Sequence, residues 1–293
     1  MGLGPYLLLA TLEGLVQSAV LALAAIGLSL VFGVMRIVNV AHGEFFMLGA
    51  MVAAVVAGMV PGPPVAGFLA AIVCGPLVAG LLAYGAERIV LRPIAQDPQA
   101  TIVATIGLLY VVQQGALMGF GPDTLTVVPP FHYTLRLPWF GYSSYKLFVI
   151  GAALVLLAAV WLIMRHTRLG LVMRATQLDP EIATAFGISV GKVQGLVFAF
   201  GAGLAALAAV LVVPIRQAHY LMGGDILLMS FAVVIIGGLG SLGGTLVAAL
   251  IIGLSDGILS VFFSPTLAKI ISTLAVALVL VLRPHGLFGK AAP

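Results

Sequence analysis

DILLMSFAVVIIGGLGSLGGTLVAALIIGLSDG, residues 225–257, decides the fold. A helix crosses the hydrocarbon layer in about 20 mainly apolar residues, so this run is too long for one straight span. Five glycines between Gly237 and Gly244 interrupt it, and one long helix or two shorter ones fit the pattern equally well. The rest of the chain is of the same kind. Of its 293 residues, 62% are hydrophobic and 8% charged, against roughly 25% charged in soluble domains. A water-soluble chain of this length needs a largely polar exterior, so the solvent for most of this exterior is lipid. The expected fold is an all-α, polytopic transmembrane bundle, taken as a single domain over 1–293.

Further apolar runs near 14–34, 44–60, 65–85, 100–120, 145–164, 193–214 and 267–282 read as spans. The start, MGLGPYLLLATLEG, lacks the basic n-region of a cleaved signal peptide, so the first run is expected to stay as a membrane helix. Lys and Arg accumulate in short cytoplasmic loops. Arg88 and Arg92 mark one such loop, and Arg165, Arg168, Arg174 and Lys192 mark another, the segment 165–192. Three spans before Arg88 put the N-terminus outside and Arg36 inside. Arg283 and Lys290 fall inside only if the 225–258 region crosses twice. The expectation is therefore eight to nine spans including a glycine-broken pair near 225–258, and the charges select nine, with the N-terminus outside and the C-terminus inside. Four basic residues, Arg136, Lys146, Arg216 and Lys269, then lie outside. The net charge of +4 records topology on this reading and gives no reason to expect nucleic acid.

The glycine-rich stretch becomes a break between two half-length helices, tolerated where backbone is buried in protein or lines a cavity. Gly240 and Gly244 also have the GxxxG spacing of close helix packing. Both readings follow from the permissiveness of Gly, and both stay open.

Two motif fragments mislead. Gly238, Gly240 and Gly243 form a literal GxGxxG, but membrane-length apolar runs flank it where a dinucleotide fold needs a strand and a following acid. GISVGKV (Gly187–Val193) has three residues between its glycines and Val after its lysine, where a phosphate loop has four and then Ser or Thr. If ATP drives this protein, another chain binds it. His42, His132, His166, His219 and His285 include no pair at metal-ligand spacing, and neither GxSxG nor HExxH occurs. Cys74 stands alone, without a disulfide partner or a multi-cysteine metal site. No enzyme activity, cofactor or metal is expected.

The loop RHTRLGLVMRATQLDPEIATAFGISVGK (Arg165–Lys192) encodes a helix of its own. Asp179 suits the N-cap, Pro180 the first helical position, Glu181 the positive end and Gly187 the C-terminal stop. Ile182, Ala183 and Phe186 form an apolar side on a segment expected outside the bilayer, so something has to cover them. They either tuck under neighbouring spans or dock into a groove on a partner.

Glu181-Ile182-Ala183, three residues, then Gly187 resembles the EAA loop of importer permeases of the ATP-binding-cassette class, with Ile182 replacing the usual small residue. GLSLVFGVMRIVNVAHGEFFMLGA (Gly27–Ala50) looks like the N-terminal signature of branched-chain amino-acid permeases. TIGLLYVVQQG (Thr105–Gly115), GGDILLMSFAVVIIGGLGSLGG (Gly223–Gly244) and RPHGLFG (Arg283–Gly289) fit the same family in the expected order. The resemblance implies a multi-pass permease of the bacterial inner membrane that moves branched-chain or other hydrophobic amino acids, related amides or urea into the cytoplasm. It implies as partners two ATPase subunits, one of them receiving the 179–187 coupling helix, a second related permease and a periplasmic substrate-binding protein. Asp179, Glu181, Ile182, Ala183, Phe186 and Gly187 are then the coupling residues.

Polar residues within apolar sequence are the candidates for a translocation path or gate. Arg36, Asn39, His42 and Glu44 form a cluster placed by the topology at the cytoplasmic edge. There Arg36 can snorkel and Glu44 can favour the positive end of the next span. In the sharper reading Asn39, His42 and Glu44 make a bent element at the inner mouth of the path. Thr105, Gln113 and Gln114 lie in the fourth span, where uncharged polar groups either bond neighbouring helices or meet the cargo. Gly238 and Gly240 complete the set. The spans show no fixed carboxylate and ammonium clamp, so tight selection is expected on the binding protein. Outside, the segment 121–144 carries prolines and interfacial aromatics. A gradient-driven secondary transporter is the rival reading, since it also uses broken helices; the 179–187 helix is the feature it has no need of.

Overall fold

The computed structural model describes residues 3–95 and 97–264, with positions 267, 270, 271, 274 and 278. Most of the expected span 267–282, the closing Arg283–Gly289 signature and the C-terminal orientation lie outside the described residues. Among the described residues, seven helices are long and apolar enough to cross a membrane. They are α1 (Leu3–Met35), α2 (His42–Met59), α3 (Pro64–Ala86), α4 (Pro98–Phe120), α5 (Ser144–His166), α8 (Val190–Val212) and α10 (Leu242–Phe262). Two short helices, α6 (Arg168–Leu178) and α7 (Pro180–Ala185), join α5 to α8. The 15-residue α9 (Gly223–Gly237) precedes α10.

α1 and α10 run antiparallel along their full length. Gly14 lies against Leu254, Ser18 Oγ donates to the Leu250 carbonyl at 3.3 Å, Thr245 Oγ1 bonds Ser29 Oγ at 3.1 Å, and Gly33 faces Gly240. α8 crosses α1 at Gly27 and Gly201, so close that a Cβ on either would strike the other's backbone. It runs beside α2, with Phe45 edge-to-face on Phe198 and Gly49 against Ala206. α3 packs on α2 and α8, then passes through a π turn at Glu87–Leu91 and a 3-10 turn at Arg92–Ile94. Phe68 of α3, Phe131 and Tyr145 stack edge-to-face at the far end, where the Tyr145 hydroxyl donates to the Leu211 carbonyl at 2.8 Å.

The glycine-rich stretch breaks where the sequence suggests, at Gly238 (φ 98°) and Gly240 (φ 77°), conformations open to Gly and strained in other residues. The halves are unequal, however. α9 is short, whereas the 21-residue α10 is a full span, started by Ser241 Oγ accepting from Gly244 N at 3.2 Å.

Seven basic residues, Arg36, Arg88, Arg92, Arg165, Arg168, Arg174 and Lys192, occupy helix ends on one side of the bundle. Arg92 donates to the Gly191 carbonyl and Arg174 to that of Met164 there. The opposite side holds Arg136, Lys146 and Arg216, with Lys146 Nζ 2.6 Å from Glu13. The segment between α4 and α5 on that side folds into a hairpin that the sequence reading did not anticipate, β1 (Thr134–Arg136) with β2 (Gly141–Ser143). Leu125 of the same segment bridges to Ala218.

Candidate functional site

The 179–187 element forms as its residues dictate. Asp179 Oδ1 accepts from Glu181 N at 2.9 Å and Ile182 N at 3.0 Å, Pro180 opens the helix, and Gly187 (φ 82°) ends it as its N–H meets the Thr184 carbonyl at 2.9 Å. The apolar trio divides. Ala183 turns inward, while Ile182 is 57% and Phe186 83% exposed. Leu178, which sequence reasoning passed over, is 81% exposed and extends this apolar row onto the end of α6, across the extended Asp179 that separates the two helices. A large apolar residue next to the cap was the available signal. α6, also unanticipated as a separate helix, ends on the same Asp179.

Gln177, one residue before this row, joins three elements. Its carbonyl accepts from Arg36 Nη2 at 3.2 Å, its Nε2 donates to the Gly240 carbonyl at 3.4 Å, and its amide lies over Gly33. The end of α1, the α9–α10 break and the helix pair α6–α7 therefore meet at one side chain. Arg36 reaches it from a left-handed backbone (φ 55°), a strained conformation for a residue with a Cβ. Gly240 also borders a cavity of about 500 Å³ with Trp161, Arg174 and Gln177. The break is thus both packed and cavity-lining, and Gly238 is buried.

Asn39, His42 and Glu44 are all buried, deeper than the expected cytoplasmic edge. His42 Nε2 donates to the Ala24 carbonyl at 2.9 Å. Ala24 is eleven residues before Met35, the end of α1, or about 16 Å along the helix at 1.5 Å per residue. It is also one turn from Gly27, which meets α8 at that helix's midpoint, Gly201. Residues 36–41 therefore fold back into the bundle, and α2 starts inside it. Asn39 Oδ1 accepts from Ala41 N at 3.1 Å and shapes the turn. Thr105 of α4 joins the cluster, its Oγ1 donating to the Ile102 carbonyl at 2.9 Å with the Val38 carbonyl at 3.3 Å. All four side chains are buried. Gln113 and Gln114 lie two turns further along α4, half-buried and exposed, and take no part.

α9 starts against α2. A Cβ on Gly223 would stand 2.6 Å from the Gly43 carbonyl oxygen and 3.0 Å from Glu44 Oε1, so the two helix N-termini touch through their glycines. His42 Nδ1 and Glu44 Oε2 are buried without a hydrogen-bond partner among the described residues.

Above this contact, toward the N-terminal end of α1, lies a cavity of about 760 Å³. Glu13, Gln17, Arg216, His219, Asp225 and Asp256 border it, and its base is Val20, Phe46 and Ile226. Arg216 Nη2 donates to Gln17 Oε1 at 2.7 Å, fastening the α8–α9 connection to α1. The sequence reading missed this grouping. Asp256 was its clearest signal, an acid inside an apolar helix where a charge costs about 2.5 kcal/mol or more unless it faces a partner or water.

The family model described as branched-chain amino acid transport system / permease component matches residues 10–282. The chain belongs to this family. The high-affinity branched-chain amino acid transport system permease protein LivH of Escherichia coli K12 is 26% identical, with 97% of this chain and 96% of that protein covered. BraD of Pseudomonas aeruginosa, a permease protein of the same description, is 26% identical over 95% of this chain and 94% of its own length. Among solved structures, PsaBC from Streptococcus pneumoniae in complex with Fab covers 92% of this chain at 14% identity with a TM-score of 0.49. The protein is a polytopic membrane permease of the branched-chain amino-acid ATP-binding-cassette transporter family.

Proposed function

We propose that this permease is the translocating subunit of an ATP-driven importer that carries branched-chain or other hydrophobic amino acids across the bacterial inner membrane. The observation that carries the reading is the exposed row Leu178, Ile182 and Phe186 on and either side of a capped helix beyond the spans. Large apolar side chains are left in water at such a site when a partner covers them. One of two ATPase subunits would seat there, and its closure would reach the spans through Gln177, the end of α1 and the α9–α10 break. The seven basic residues at that end support a cytoplasmic placement, with the N-terminus periplasmic.

The buried Asn39, His42, Glu44 and Thr105 cluster, set where α2 and α9 abut, would be the gate. Its partnerless His42 Nδ1 and Glu44 Oε2 fit an element paired by water or in a second arrangement. A second related permease would complete the passage and a periplasmic binding protein would feed it.

Reconstitution of the permease with its ATPases, partner permease and binding protein tests the reading. Uptake should require ATP, persist when ion gradients are collapsed, and rank leucine, isoleucine and valine above amides and urea. Uptake that follows an ion gradient and ignores ATP would contradict it.

A further inference from the structure

α3 and α8 lie antiparallel along a seam of small residues, and beside that seam they leave an apolar groove. A Cβ on Gly195 would stand 3.0 Å from the Tyr84 ring, one on Gly80 3.3 Å from the Ala199 carbonyl oxygen, and one on Gly203 3.6 Å from that of Pro76. The floor is therefore low. Leu77, Leu81 and Leu196 are exposed beside it, and the groove holds about 660 Å³. It runs along α8 from Leu196 to Leu207 and along α3 from Tyr84 to Val73, or about 16 Å on each helix. That is the depth of one leaflet, half of a hydrocarbon layer of about 30 Å. Over this length the volume leaves a trough roughly 6 Å across, narrower than a helix with its side chains at about 10–12 Å. Hydrocarbon chains fit it.

The end of the groove at Tyr84 and Leu196 is the basic end of the bundle. There a smaller cavity of about 290 Å³ continues it, sharing Leu169, Met173 and Leu196 and adding Arg168. Lys192 stands one turn before Leu196 on the same face of α8. Both cations are exposed, and among the described residues neither side chain makes a hydrogen bond or an ion pair. Arg92 nearby differs, lying 3.5 Å from Glu87 and donating to the Gly191 carbonyl. A flat face of Leu and Val takes any lipid as solvent. A trough one leaflet deep with unpaired cations at its mouth favours a lipid that brings the opposite charge.

We propose that the α3–α8 groove holds an anionic glycerophospholipid from the leaflet on the basic side, its acyl chains along Gly80, Ala199 and Gly203 and its phosphate at Arg168 and Lys192. The site is independent of the importer reading. Leu169 and Met173 belong to α6, so the lipid braces the helix that carries Gln177.

Quenching of tryptophan fluorescence by brominated lipid reads the groove in the full-length permease in vesicles. Leu81→Trp, in the groove, and Val111→Trp, at an exposed position of α4, are each combined with Trp139→Phe and Trp161→Phe, which remove both native indoles. Leu81→Trp should be quenched several-fold more effectively by phosphatidylglycerol with brominated chains than by phosphatidylcholine with the same chains, and Val111→Trp equally by both. Adding Arg168→Gln with Lys192→Gln should equalise the two lipids at Leu81→Trp, whereas Arg136→Gln on the opposite side should leave the preference intact. Equal quenching at Leu81→Trp, the same preference at Val111→Trp, or a preference that survives Arg168→Gln with Lys192→Gln overturns the proposal. So does an indole at Leu81→Trp that neither lipid quenches, which would place another copy of the chain over the groove.

Discussion

α1 and α4 are both apolar enough to cross a membrane, yet 89% of the most apolar window of α1 is buried inside the bundle against 17% for α4. α2 and α8 side with α1, at 72% each, and α5 with α4, at 22%. Hydropathy does not separate the two groups, because lipid is as good a solvent for Leu and Val as a protein interior. What separates them is the close backbone approach of small residues. Gly27 meets Gly201 and Gly49 meets Ala206, whereas a Cβ at Gly107 or Gly115 of α4, or at Gly151 of α5, would meet nothing within 4 Å. The inner helices border the charged cavity and hold His42 and Glu44, and the peripheral ones, Thr105 of α4 apart, mostly present side chains outward.

The largest effect that would break this contrast is at the α1–α8 crossing. Gly27→Leu forces backbone apart, a strain at or above the roughly 1–3 kcal/mol typical of overpacking, and should abolish monodisperse protein in detergent. Gly151→Leu should leave yield and melting temperature unchanged, and similar losses from both would refute the division. Next, His42→Ala removes a buried bond worth about 1 kcal/mol, while the Ala24 carbonyl keeps the N–H of Leu28 within α1. It should lower thermal stability and uptake together, while Gln114→Ala changes neither. Gln177→Ala should leave folding and basal ATP hydrolysis of the complex near wild type and cut uptake per ATP several-fold, read in proteoliposomes; unaltered coupling would remove Gln177 from the path. The smallest change in stability is Asp179→Ala, which loses an N-cap worth about 1 kcal/mol on a helix too short to persist alone. The bundle's melting temperature should hold while binding-protein-stimulated ATP hydrolysis falls.

Local features were legible in the sequence because their physics is local. The cap at Asp179, the stop at Gly187 and the break at Gly238–Gly240 each depend on a residue's own backbone preferences. The Asn39–Glu44 cluster was legible as polar residues but not as a depth, because no periodicity reveals that residues 36–41 fold back to the level of Ala24. The charged cavity was illegible for a related reason. Glu13, Arg216, Asp225 and Asp256 are far apart in the chain and meet only through the antiparallel packing of α1 on α10 and the short α9. The inequality of α9 and α10 likewise depends on where α9 starts against Gly43, a tertiary fact.

The central claim is that the exposed row around α7 is where ATP hydrolysis enters this permease. Phe186→Asp places a charge in that row, on a side chain that touches little of the bundle, and uptake in the reconstituted complex measures the consequence. The account predicts unchanged melting of the isolated permease, weakened retention of the ATPase subunits and uptake reduced by about tenfold or more, as expected when a buried charge is forced into an apolar interface. Wild-type uptake with wild-type ATPase retention would contradict it.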